Sequence, residues 1–131
     1  MVRAMVRLAL AVSVAAVAVT ACTQTDNDRP ATVEYITEAI LQPSCAQDVC
    51  HSSYRREKGY AFDTLEVARP SLMGIVNPCE PDQSLLYTVL TRRIKRMPYD
   101  APLPQKDIDL ILLWIQKNAN EDLNLQVQCP R

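Results

Sequence analysis

The apolar positions of this chain fall into one run, Leu8 to Val19, interrupted only by Ser13, followed by four periodic segments. From Thr32 the pattern is helical, with Val33, Ile36, Ala39 and Ile40 on one face. Pro43 should stop this helix, because proline has no N–H for the preceding turn and biases Gln42 away from helical backbone. Residues 52 to 62 are polar and basic and read as a loop leading to Phe62, whose ring should turn inward. Asp63 or Thr64 can cap a short helix carrying Leu65, Ala68, Leu72 and Met73, irregular near Pro70 and ended by Gly74. Asp82 should cap a third helix with Leu85, Leu86, Val89 and Leu90 on one side. Arg92, Arg93, Lys95 and Arg96 would stand at its C-terminal end, where cations favour the helix dipole. A stiff loop, Met97-Pro98-Tyr99-Asp100-Ala101-Pro102-Leu103-Pro104, leads into the last helix, about Gln105 to Ala119. There Ile108, Ile111, Leu112 and Ile115 form a stripe that Leu110, Leu113 and Trp114 widen, and Asn118 is placed as a C-cap. No strand alternates convincingly and no internal repeat occurs, so the expected class is all-α.

The first run differs from the others in kind. Arg3 and Arg7 precede it, and it is short for a bilayer span, as a secretory signal is. It ends in Val19-Thr20-Ala21-Cys22, which resembles the bacterial lipobox. That resemblance implies residues 1–21 as a signal peptide, a mature chain starting at a diacylglyceryl-modified Cys22, and membrane attachment through acyl chains. Thr23 is not the aspartate of the enteric inner-membrane rule, so the expected address is the outer membrane of a bacterial envelope. The plainer alternative is an ordinary cleaved signal with Cys22 incidental. Residues 22–31, polar and aperiodic, read as a tether, and 32–131 as one domain.

Charge narrows the partners. Without residues 1–21 the chain keeps 12 basic against 15 acidic residues, a net of −3, which gives no hint of nucleic-acid binding.

The densest chemistry lies in Cys45-Ala46-Gln47-Asp48-Val49-Cys50-His51, two cysteines with four residues between them and the only histidine directly after. Two thiols and an adjacent imidazole read as a c-type haem attachment site with an expanded loop, the loop bulging outward. A Cys45–Cys50 disulfide, a partial zinc site and chance are the competing readings. Zinc is weakest, since a structural site takes four ligands and only one histidine is present, so Cys79, Cys129 or carboxylates would have to complete it. With Cys22 given to lipid and Cys45 and Cys50 to the candidate haem, Cys79 and Cys129 are left as a pair. In an exported chain a disulfide between them is the natural expectation.

The order of the pieces resembles a class I cytochrome c domain, most closely the cytochrome-c-like domains of planctomycetes and myxobacteria. The matching residues are Cys50-His51, Ser71-Leu72, Pro78-Cys79-Glu80-Pro81-Asp82-Gln83-Ser84-Leu85-Leu86-Tyr87, Met97-Pro98 and Leu103 through Ala119, over about residues 33 to 119. Three positions depart from the pattern: the cysteine spacing is four rather than two, and Cys79 and Asn118 each stand where it has glycine. The resemblance implies one covalent haem c with His51 as proximal and Met97 as distal ligand, Met73 being the other methionine to weigh. It further implies electron transfer with unidentified redox proteins and no catalysis. His/Met ligation leaves no open iron position, and no nucleophile with its base, phosphate loop or carboxylate pair stands out. Phe62, Leu86, Trp114 and Ile115 are candidate walls for the porphyrin, with Trp114 equally suited to ordinary core. The basic residues flanking both ligands would steer an acidic partner or pair with haem propionates, or form only a solvated loop and helix end. The alternative from another class is a haem-free helical lipoprotein with disulfides Cys45–Cys50 and Cys79–Cys129, acting as a binding or assembly module.

Overall fold

A computed structural model describes residues 28–130, so the signal run and Cys22 lie outside the described residues. Helix α1 begins at Val33, where the Thr32 hydroxyl accepts the Tyr35 N–H and the Asp122 carboxylate accepts the Val33 N–H at 2.8 Å. It does not stop at Pro43. An α turn over Val33–Tyr35 passes into a π-helix over Ile36–Leu41 and back to an α turn over Gln42–Cys45. Pro43 has no N–H to give, and in a regular α-helix its ring would meet the carbonyl four residues back. The wide turns before it, in which the Gln42 N–H reaches the Thr37 carbonyl, relieve that collision and let the spiral run on to Cys45. The wider period also changes the buried face: Ala39 is exposed, and Thr37 and Leu41 are buried in its place.

Thr37 pays for that position, since its hydroxyl is buried without a hydrogen-bond partner. Thr37→Val keeps the shape and removes the unsatisfied oxygen, so it should stabilise the fold by about 1 kcal/mol. A melting temperature about 4–8 °C higher would register that gain; an unchanged or lower one would show that the hydroxyl is satisfied in solution.

Helix α2 spans Leu65–Met73 and is capped by Thr64, whose hydroxyl accepts the Val67 N–H. Asp63 instead accepts from the Ser53 N–H and hydroxyl at 3.0 and 2.7 Å, which holds its carboxyl below the usual range. Helix α3 spans Leu85–Thr91. Asp82 does not cap it: Asp82 lies in a 3-10 turn, Pro81–Gln83, and Ser84 takes the N-cap position with its hydroxyl turned to Asn77. The helix ends before the basic cluster, so Arg93 and Lys95 lie in the turn beyond it.

Helix α4, Gln105–Lys117, buries Ile108, Leu110, Ile111, Trp114 and Ile115. Asn118 is its C-cap, but at φ −121° rather than left-handed, and the chain bends directly into α5, Ala119–Asp122. Asp122 then accepts the Trp114 indole N–H at 2.8 Å with the same oxygen that takes the Val33 N–H. Helix α4 packs on α3, on the 3-10 turn and on α5, while α2 packs on α1. Their apolar faces meet in a single core that includes Ile36, Leu72, Leu90, Ile111 and Trp114.

Cys79 and Cys129 form a disulfide with Cα atoms 5.2 Å apart, as the cysteine arithmetic anticipates. Among the described residues there is no strand, and no helix is long and apolar enough to cross a membrane.

Candidate functional site

Because α1 runs through Pro43, Cys45 sits at a helix end rather than in a free loop. The intervening residues fold back: the Cys50 N–H donates to Gln47 O at 2.8 Å, and the His51 N–H to Cys45 O at 3.1 Å. The loop therefore closes at its base and bulges at Val49, which is 78% exposed. From the other side the Glu57 N–H donates to Cys50 O and the Phe62 N–H to His51 O, so both residues are held by the segment that follows them.

The imidazole of His51 packs edge-on to Phe62 at 5.5 Å between ring centres and lies 6.3 Å from Tyr60. Its Nδ1 is buried with no hydrogen-bond partner. A buried polar nitrogen left alone costs about 1–3 kcal/mol, so the histidine is not explained as a satisfied core residue.

Met97 arrives from the far side. Its N–H donates to Val89 O at 2.8 Å, and the turn before it is closed by the Arg92 Nε–H donating to Lys95 O at 2.7 Å. Two cavities flank these groups, one of about 560 Å³ and one of about 610 Å³, and Cys45, His51, Met97 and Tyr99 line both. Cys50, Glu57 and Asp100 line only the first; Phe62, Leu86, Leu90 and Lys58 line only the second. Each space is in the range of small-molecule sites, about 300–1,000 Å³.

The structure thus brings Cys45, Cys50, His51 and Met97 to one place, although the two candidate iron ligands stand 46 positions apart in the sequence. It does not bring Met73 there: that side chain is 49% exposed on α2 and lines neither cavity. Of the expected walls, Phe62 and Leu86 line the second cavity, whereas Trp114 and Ile115 do not. Both are wholly buried in the core of α4, and Trp114 is committed to Asp122. Tyr99 was missed by sequence reasoning, although its place two residues after Met97 in a proline-stiffened loop was the available signal. Of the flanking cations, Lys58, Arg92 and Lys95 are exposed at the mouth of the second cavity and line it, while Arg55, Arg56 and Arg93, also exposed, line neither.

Among the described residues no three His, Cys, Asp or Glu side chains converge as a metal site, and Cys79 and Cys129 are joined to each other, so the zinc set is not assembled. Cys45 and Cys50 are both free thiols. Burial, with a smaller contribution from Cys50, pushes the Cys45 thiol up from 9.0 to about 12. A thiol whose pKa is raised in the fold stabilises fully below its unfolded pKa, and that contribution is lost as pH rises through the folded value. Urea unfolding of the haem-free chain should therefore weaken from about pH 9 toward pH 12, with Cys45→Ala flattening that part of the profile. Identical alkaline slopes in the two proteins would show that Cys45 is not the group responsible.

No family model, curated protein or solved structure matches the chain.

Proposed function

We propose that this protein is a lipid-anchored, monohaem c-type cytochrome of the bacterial cell envelope that carries single electrons between redox proteins. What supports the reading is the convergence of Cys45, Cys50, His51 and Met97 on two adjoining, largely apolar spaces. The residues present therefore suit a haem c.

Bound there, the haem supplies a one-electron iron couple whose potential His/Met ligation raises relative to more basic ligand pairs. The chain does the rest. Cys45 and Cys50 would hold the porphyrin covalently, with His51 and Met97 as its iron ligands. Phe62, Ile75, Leu86 and Leu90 would exclude water from its face. With both His51 and Met97 given to the iron, the group would suit an electron carrier rather than a substrate site. The haem-free scaffold requires Cys45 joined to Cys50, and the two free thiols give it no support.

The deciding experiment is expression of the full chain with a haem-maturation system, followed by a reduced-minus-oxidised spectrum and a peptide map. The expected result is a coloured protein in which both cysteines carry porphyrin. A colourless product with Cys45 linked to Cys50 would overturn the reading.

A further inference from the structure

The turn between α3 and Met97 carries an apolar residue where turns ordinarily carry Gly, Asn, Asp, Pro or Ser. Ile94 stands in it 78% exposed. The turn is closed on itself at two levels. Across its base the Met97 N–H donates to Val89 O at 2.8 Å, and nearer the top the Arg92 Nε–H donates to Lys95 O at 2.7 Å. Lys95 takes φ 53° to complete the bend, a left-handed backbone that glycine adopts more readily. Ile94 lies between the two residues so joined and is carried at the crown.

Cations surround it. Arg92, Arg93 and Lys95 are all exposed, and among the described residues no carboxylate pairs with any of them. Arg92 caps α3, where the helix dipole favours positive charge, but Lys95 stands three residues past that cap and the dipole does not account for it. Asp100, the nearest carboxylate in the sequence, lines only the first cavity, whereas Arg92 and Lys95 line only the second. The turn is therefore positive in a chain whose net charge is −1. Beside the cations the surface is apolar again: Tyr99, 73% exposed, and the half-exposed Leu85 line the same cavity as Arg92 and Lys95. Hydrophobic residues scattered singly over a surface are ordinary, but one that projects among unpaired cations, next to an exposed aromatic ring, marks a contact surface.

We propose that this turn docks on an anionic bilayer surface. Ile94 enters the boundary between headgroups and acyl chains, Arg92, Arg93 and Lys95 face the lipid phosphates, and Tyr99 lies at the interface, where its apolar ring and polar hydroxyl are both satisfied. A projecting crown suits a fluid surface that parts around it, whereas a folded protein would have to offer a pocket of matching shape. The inference makes no use of haem. It rests on the proposed function only for placing a bilayer nearby, in the cell envelope, and vesicles supply that bilayer in the test.

The probe is a vesicle of equimolar phosphatidylcholine and phosphatidylglycerol, compared with one of phosphatidylcholine alone. The core lies wholly between Val33 and Leu123, so the chain used lacks residues 1–21 and carries Cys22→Ser. That change removes both the first apolar run and any acyl chain as a source of binding. The protein should sediment with the anionic vesicles at low salt, lose that binding as salt screens the charges, and leave the neutral vesicles alone. Ile94→Ser should weaken binding about 10-fold, as exposing one isoleucine side chain implies, while Ile94→Leu retains it. Arg92→Gln/Arg93→Gln/Lys95→Gln should weaken it about 100-fold, as the loss of three cations near an anionic surface implies. In Ile94→Trp the added indole should shift its emission to shorter wavelength on the vesicles, against a constant background from the wholly buried Trp114. Binding to neither vesicle, or equal binding to both, would overturn the proposal. So would binding that Ile94→Ser leaves unchanged with the added indole unshifted, since the turn would then meet anions by charge alone, as an acidic protein presents them. A matured chain that is coloured but ignores anionic vesicles loses the docking surface and keeps the electron carrier. A colourless chain that binds them through Ile94 keeps the surface and loses the carrier.

Discussion

His51→Ala is expected to abolish the coloured protein altogether, while Met97→Ala leaves the porphyrin attached and lowers its potential, and Met73→Ala changes neither. The three outcomes follow from where each side chain stands. His51 is fixed on both sides by backbone hydrogen bonds, to Cys45 through its N–H and from Phe62 through its carbonyl, and it is the only histidine in the chain. No other imidazole can take its place. Met97 lines both cavities and is anchored through its N–H to Val89, so its loss would remove one of the two proposed iron ligands without touching the cysteines. Axial ligands set haem potentials over about 0.8 V, so the fall on losing a thioether should be a sizeable part of that span. The opened position should also admit carbon monoxide or free imidazole, which a filled site refuses. Met73, half exposed on α2 and away from both cavities, serves as the internal control. Difference spectra and potentiometry on the three matured variants check the set. A Met97→Ala protein with unchanged potential, or a Met73→Ala protein with a lowered one, would remove Met97 from the ligand role.

Much of this arrangement is legible in the chain, and the failures have physical causes. Helix α4 follows from its apolar stripe to within two residues at its C-terminal end, because five buried side chains at helical spacing leave little freedom. Helix α2 is equally plain, down to the choice between two adjacent caps, which the side-chain geometry of Ser53 settles by claiming Asp63 for itself. Pro43 misleads, because the rule that proline ends a helix assumes a regular α spiral, and a π segment is not visible in a 3.6-residue pattern. Asp82 misleads because Pro81 starts a short 3-10 turn that uses it up before α3 begins. At the site, Cys45, Cys50 and His51 are adjacent in sequence and could be grouped from it. That Met97 rather than Met73 joins them at the cavities agrees with what the resemblance and the proline-rich setting imply. The cavities themselves, the exclusion of Trp114 and Ile115 from their walls and the entry of Tyr99 depend on how α3 and α4 pack, which no local pattern encodes.

Removing the long-range disulfide should cost nearly as much as any core substitution, although neither cysteine belongs to the core. Cys79 follows the turn at Asn77, whose side-chain oxygen accepts its N–H at 3.1 Å, and Cys129 lies in an exposed tail beyond α5. The bond closes a loop of 50 residues that encloses α3, α4 and α5. Leu123 is buried in the core and Leu125 packs against it; past them the tail is held by Asn120, whose amide brackets Val127 at 3.0 and 3.1 Å. Breaking the bond therefore removes few native contacts, and nearly all of the effect falls on the unfolded chain, which gains the freedom the loop denied it. The chain-entropy relation puts that gain at about 4 kcal/mol for a loop of this length. A domain of this size has about 5–15 kcal/mol of total stability, so the loss is a large share of it. At about 4–8 °C per kcal/mol, Cys79→Ser/Cys129→Ser should melt some 15–30 °C lower. Truncation after Gln126 in the oxidation-incompetent background should then change little, since the tail no longer constrains anything. If the serine double variant melts within a few degrees of the parent, the unfolded chain must already be compact around that loop, and the entropic account of the bond fails.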